Sequence, residues 1–149
     1  MDLPSPINTL FSKTRHLSYP DDAEPYARKM SDIIVLGVGT SRLVVTTTDK
    51  NIAVKISYNP QPLANRKEAH IYSNASDSLQ QNLLPIYDTG ENCQYVICPY
   101  IPNISTGLKR FEGPCAKSLY NRITAQGFDI YEIETTRHNG TIIAIDYGS

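Results

Sequence analysis

Ile33-Ile34-Val35-Leu36-Gly37-Val38-Gly39-Thr40-Ser41-Arg42-Leu43-Val44-Val45, followed after the turn Asp49-Lys50-Asn51 by Ile52-Ala53-Val54-Lys55-Ile56, is the stretch on which the fold turns. The first apolar run ends in two glycines one residue apart, and the second carries a lysine in its middle. An ammonium inside a strand is costly to desolvate unless it is paired. A glycine turn lets a backbone approach a ligand closely and offer bare N–H groups to phosphate oxygens. Together the two features predict a polyphosphate lying under the hairpin, with Lys55 opposing its charge. Side chains alternate along a strand. Ile52, Val54 and Ile56 therefore share one face and Ala53 and Lys55 the other, where the small alanine leaves room for a flat ring.

Downstream, Asn59-Pro60-Gln61-Pro62 breaks the sheet and a helix is expected from Pro62. Ala64, Glu68, Ile71, Tyr72, Ala75 and Leu79 recur at three- and four-residue spacing and so form one stripe. Glu68 is the charged member. It reads either as a helix-flank carboxylate reaching water or as an inward anion seeking a cation, for which Lys55 is the candidate. Leu83–Gly90 reads as a strand and turn and Gln94–Cys98 as the next strand, with Pro99 and Pro102 ending the pairing. The first hundred residues thus predict about five strands and one helix. Pro114–Ala125 has helical spacing. Asn139-Gly140 between Thr135–His138 and Thr141–Ile145 is a hairpin signal, and the second strand runs into Asp146-Tyr147-Gly148. Upstream, residues 1–31 carry Pro4, Pro6, Pro20 and Pro25 and read as an extension that wraps the domain or stays partly mobile. Leu10, Phe11, Leu17 and Tyr19 are candidates to dock it, and a short helix over Asp21–Met30 is expected, capped by Asp21 or Asp22.

A chain of 149 residues, 40% hydrophobic, suits one domain with a real core. A net charge of −1 argues against a non-specific nucleic-acid or membrane surface. The odd set Cys93, Cys98 and Cys115 lacks paired metal-ligand spacing and predicts free thiols in a reducing cytoplasm. No apolar window approaches the roughly 18 residues of a membrane span. Met1-Asp2-Leu3-Pro4 lacks the basic and apolar regions of a secretory signal, so none is expected.

The pieces, in this order, resemble the protein-kinase-like superfamily. Leu36–Val44 resembles the glycine-rich loop G-x-G-x-x-G-x-V, and Ala53-Val54-Lys55 is similar to the V-A-I-K lysine strand. Glu68 stands where the family's helix C glutamate would, and Val96–Ile101 falls at the linker between lobes, where adenine meets backbone. Asp129 resembles the catalytic-loop aspartate, and Asp146-Tyr147-Gly148 is similar to D-F-G. The resemblance covers residues 31–149. It implies an α+β, protein-kinase-like fold: a five-stranded antiparallel N-lobe sheet with one helix over 31–102, preceded by the extension 1–30. A reduced C-lobe of one helix and a β-hairpin would occupy 103–149. It further implies ATP and Mg²⁺ as cofactors. Gly37, Gly39, Thr40 and Val44 would cover the phosphates. Ala53 and Tyr100 would flank adenine. Lys55, held by Glu68, would take the α- and β-phosphates. Asp129 would be the catalytic aspartate, and Asp146 and Glu134 would carry the metal.

Arg42 departs from the pattern by replacing the third glycine, Glu134 by replacing a metal-binding asparagine, and no His or Arg precedes Asp129. The implied activity is phosphoryl transfer to a protein hydroxyl, or to the chain itself. The alternative is a catalytically inactive pseudokinase-like binding protein that engages a partner protein. Self-association is one way to complete the lower lobe, and neither nucleic acid nor membrane is implied.

Overall fold

The computed structural model describes residues 1–58, 62–102, 104 and 113–148. Helices α1 (Ser5–Thr14) and α2 (Pro20–Arg28) precede strands β1 (Ile33–Val38), β2 (Arg42–Thr47) and β3 (Ile52–Ser57). Helices α3 (Leu63–Asn74) and α4 (Asp77–Gln80) lead to β4 (Asp88–Thr89), a one-turn 3₁₀ segment at Glu91–Cys93, and β5 (Tyr95–Pro99). Helix α5 (Gly113–Ala125) and the hairpin of β6 (Glu134–His138) and β7 (Thr141–Asp146) complete the described chain. The architecture is α+β, with a five-stranded antiparallel sheet ordered β1-β2-β3-β5-β4 and a two-stranded sheet β6-β7.

Register follows from the turns. In the β2–β3 turn Lys50 takes φ 54°, and the pairing that results sets Val44 opposite Lys55. In the β6–β7 turn Asn139 and Gly140 both take positive φ, 52° and 78°, as a two-residue hairpin whose twist matches its strands requires. The expected strand over Leu83–Gly90 shrinks to Asp88–Thr89. Leu83 instead makes an isolated parallel bridge to Ala144 of β7.

The large sheet is covered on both faces. One face presents Leu43, Val45, Val54, Ile56 and Ile97 to Ile7 and Leu10 of α1 and Ala23 and Ala27 of α2. The other presents Ala53 and Cys98 to Ile71 of α3, Leu79 of α4, Leu119 and Ile123 of α5, and Ile143–Ile145 of β7. At about 1.5–3 kcal/mol per fully buried aliphatic side chain, both layers are structural necessities. The second cluster joins side chains from before and after residue 103.

Residues 1–31 wrap the domain as two helices, one more than the sequence suggests. Pro4 is the α1 N-cap, Pro6 sits in its first turn, and Pro20 opens α2; prolines there lack only N–H groups that a helix start leaves unbonded. Residue Tyr19, not Asp21 or Asp22, caps α2, without a side-chain bond, and it is exposed where it was expected to dock. The expected break at Asn59–Gln61 and most of the expected loop at 103–113 lie outside the described residues. Cys93, Cys98 and Cys115 are free thiols. Among the described residues, no helix is long and apolar enough to cross a membrane.

Candidate functional site

On the sheet face that meets α3, Arg42 and Lys55 are the charged residues, and both meet Glu68 of that helix. Lys55 follows Ala53 on β3, and strand alternation aims its side chain away from α1 and α2. It is 3% exposed, and its Nζ donates to Glu68 Oε1 at 2.9 Å and to the Ile145 carbonyl at 2.6 Å. Glu68 reaches it from the second turn of α3, and its other oxygen accepts from Arg42 Nη2 at 2.9 Å and from the Tyr147 amide at 3.2 Å. Thus Glu68 is the inward anion, paired with Lys55 as the spacing suggested.

Arg42 is the member that motif reading missed. Its guanidinium is 8% exposed and spans two carboxylates, donating from Nη2 to Asp146 Oδ1 at 2.8 Å as well as to Glu68. Nη1 donates to Asn65 Oδ1 at 3.2 Å, and the Asn65 amide donates in turn to the carbonyls of Lys55 at 3.2 Å and Cys93 at 2.9 Å. The signals were parity and periodicity. Arg42 stands two residues before Val44, hence on the strand face that carries Lys55, and Asn65 lies three residues before Glu68 on one helix stripe.

Two cations and two carboxylates thus balance in a nearly dry site. Burial opposes the charge on Glu68, but Arg42 and Lys55 outweigh it and hold its carboxyl well below the usual range. Burial likewise opposes the charge on Arg42, and Glu68 and Asp146 together overcome it and raise the guanidinium pKa. Glu134 behaves oppositely. It faces Asp146 across the β6–β7 ladder, and burial, reinforced by the negative charge of Asp146, pushes it up to about 7. Asp146 keeps 37% of its side chain exposed. Asp146 and Glu134 are the side chains that could hold a cation here. Their hard oxygens suit Mg²⁺, which takes one or two carboxylates and fills its remaining positions with water and phosphate. Among the described residues no cluster of three or more His, Cys, Asp or Glu side chains is assembled for a metal.

The segment after β7 is fixed beneath α3. Tyr147 is wholly buried, and its hydroxyl donates to the Leu84 carbonyl at 3.0 Å. At Gly148 a Cβ would come within 2.4 Å of the Ala64 carbonyl oxygen, so only glycine lets the chain pass the first turn of α3. The β1–β2 turn differs. Gly37 pairs with Val44 beside a bulge, while Gly39 and Thr40 are exposed, and the Gly39 amide donates to the Arg42 carbonyl at 2.8 Å. A Cβ at Gly39 would meet only that carbonyl, at 3.7 Å, so the fold itself does not demand glycine there.

Val44 and Ala53 are buried on the Lys55 face. Tyr100 is half-buried just beyond β5, with the Lys50 ammonium 5.9 Å from its ring centre. Asp129 is exposed between α5 and β6, and no hydrogen bond or ion pair among the described residues joins it to the cluster. The structure therefore gathers Lys55, Glu68 and Asp146, sets Glu134 beside Asp146, and leaves Asp129 outside the charge network. Comparison of the chain with protein families, with curated proteins and with solved structures found no match in any of the three.

Proposed function

We propose that the chain is a protein-kinase-like phosphotransferase unit that takes ATP and passes its γ-phosphate to a protein hydroxyl or to itself. The observation that carries this reading is the Lys55–Glu68 pair at 2.9 Å, set beneath a glycine turn and within one network with Asp146. The strand order β1-β2-β3-β5-β4, with a carboxylate-bearing helix packed on it, agrees with it.

Phosphoryl transfer asks a protein mainly for positioning and charge compensation. Lys55, its direction set by Glu68, meets the α- and β-phosphate oxygens. Gly39 is exposed and lacks a side chain, so a phosphate can come close to the turn, while its own amide is held by the Arg42 carbonyl. Asp146 and Glu134 are the residues that would hold Mg²⁺, which when bound would neutralise charge on the phosphate oxygens. Asp129 orients the acceptor hydroxyl and takes its proton as the γ-phosphorus leaves the ADP oxygen for the acceptor oxygen. Its exposed position suits contact with a second molecule.

One observation favours a second reading, a pseudokinase-like module that engages a partner protein without chemistry. Arg42 already gives Glu68 and Asp146 the positive charge that metal and phosphate-bound groups would otherwise compete for. Incubation with γ-labelled ATP, Mg²⁺ and a cell lysate separates the two. The first reading expects labelled product from the wild type and at least about a hundredfold less from Lys55→Ala and from Asp146→Ala. A thermal scan runs beside it, because a nucleotide at 100 times its dissociation constant adds about 2.7 kcal/mol of stability. Equal labelling by all three proteins, or no shift with ATP and Mg²⁺, rejects the transferase.

A further inference from the structure

A cavity of about 230 Å³ is lined by none of Arg42, Lys55, Glu68 and Asp146. The segment that leaves α1, the end of β3, the start of α3 and the turn before β5 form its walls. Among the described residues Arg15 and Arg66 are its charged lining, with His16 beside them, and no Asp or Glu side chain lines it. Arg15 and Arg66 are exposed, and neither has a carboxylate partner among the described residues, although acids outnumber Lys and Arg in the chain, 15 to 14. Arg15 instead lies 5.7 Å from the centre of the Phe11 ring, whose face positions it at the cavity. Ser18, Asn92 and Gln94 add hydroxyl and amide donors.

The walls are tied to one another, and their ties use up the other polar groups. The Thr14 and Tyr58 hydroxyls bond at 2.8 Å, linking α1 to the end of β3. The Ser57 amide donates to the Gln94 carbonyl at 2.8 Å, and Asn65 donates to the Cys93 carbonyl at 2.9 Å. Asn92 and Cys93 hold positive φ values of 54° and 57°, a strained backbone for non-glycine residues, and Asn92 lines the rim. Hydrogen bonds thus tie the described walls together and leave Arg15 and Arg66 without a carboxylate partner among the described residues. The cavity is smaller than the roughly 300–1,000 Å³ of drug-sized ligand clefts, which suits a compact group. Two planar guanidinium forks with an imidazole suit a dianion with several acceptor oxygens better than a single carboxylate.

We propose that the Arg15–His16–Arg66 cavity is a binding site for a phosphate monoester. The phosphate can belong to a free small molecule or to a phosphorylated side chain. The chemistry of recognition is the same, and the experiment distinguishes them. The full chain, labelled with ¹⁵N, is titrated with O-phosphoserine, with serine, and with a short phosphoserine peptide beside its unphosphorylated form.

The expected result is saturable binding of phosphorylated probes alone, with shifts at the amides of Arg15–Ser18, Asn92–Gln94 and Arg66. Arg66→Ala and Arg15→Ala each weaken binding about tenfold or more, as loss of a charge-assisted bond implies. Arg66→Lys, which keeps the charge and loses the fork, falls between. Tighter binding of the peptide than of phosphoserine assigns the site to a phosphorylated side chain, and equal binding to a small molecule. The proposal fails if no phosphorylated probe saturates below about 10 mM, the weak end of specific recognition. It also fails if the Arg15→Ala/Arg66→Ala double variant, folded by its amide spectrum, binds as the wild type does, or if the shifts centre on Lys55 and Asp146.

Discussion

Arg42 decides the electrostatics of this protein, and it does so from a position that a motif search reads only as a missing glycine. Its guanidinium reaches Glu68, Asp146 and Asn65 together, which an ammonium on a shorter reach does not reproduce. Arg42→Ala leaves Glu68 with Lys55 but strips Asp146 of its cation; because Asp146 is 37% exposed, a loss of about 1–3 kcal/mol is expected in urea unfolding. Asp146→Asn in that background should recover part of the loss, so that the double variant is less destabilised than the two single changes summed. Glu68 supplies the pH dependence. Its folded pKa lies below the unfolded value of 4.5, so its contribution is complete above that value and disappears as the pH falls toward about 2. Unfolding free energy should decline through that window in the wild type, and Glu68→Gln should flatten the decline while lowering stability at pH 7. The Lys55–Glu68 pair was legible in the sequence because both residues break an apolar pattern. Arg42 was not, because at a strand end beside a turn a charged residue breaks no pattern until the register is known.

The strands themselves were readable from alternation and turn chemistry, and the Asn139-Gly140 hairpin from two residues alone. The two helices at the start were harder. Prolines at positions 4, 6 and 20 punctuate a loop as readily as they open a helix, and what distinguishes the cases is an apolar partner surface distant in sequence. That surface is the sheet face of Leu43, Val45, Val54 and Ile56. Leu10 is fully buried against it, so Leu10→Ala should cost about 2–5 kcal/mol by chemical denaturation, the toll of a cavity in a close-packed layer. A cost under about 0.5 kcal/mol would mean that α1 lies only loosely on the sheet. The short β4 has a similar origin. Leu83 and Leu84 are apolar enough to read as a strand, but their backbone is committed to β7 instead of to β5.

At the scale of the molecule, two hydrophobic layers share one sheet, and the charge cluster lies within the layer that also holds α3, α5 and β7. The tie between residues 82–84 and β7 completes that layer: the Leu84 amide donates to the Ala144 carbonyl and the Ala144 amide to the Asn82 carbonyl, both at 2.8 Å. Amides at Leu84 and Ala144 should therefore exchange with deuterium only through global unfolding, whereas those of Gly39 and Thr40 should exchange early. Protection at Leu84 no greater than at Thr40 would show the tie to be loose in solution. A clamshell motion pivoting near residue 101 would have to break both of these backbone bonds at once. Under the proposed function, opening of the exposed β1–β2 turn admits a nucleotide beneath the sheet without breaking either bond, so breathing of that turn would pace occupancy.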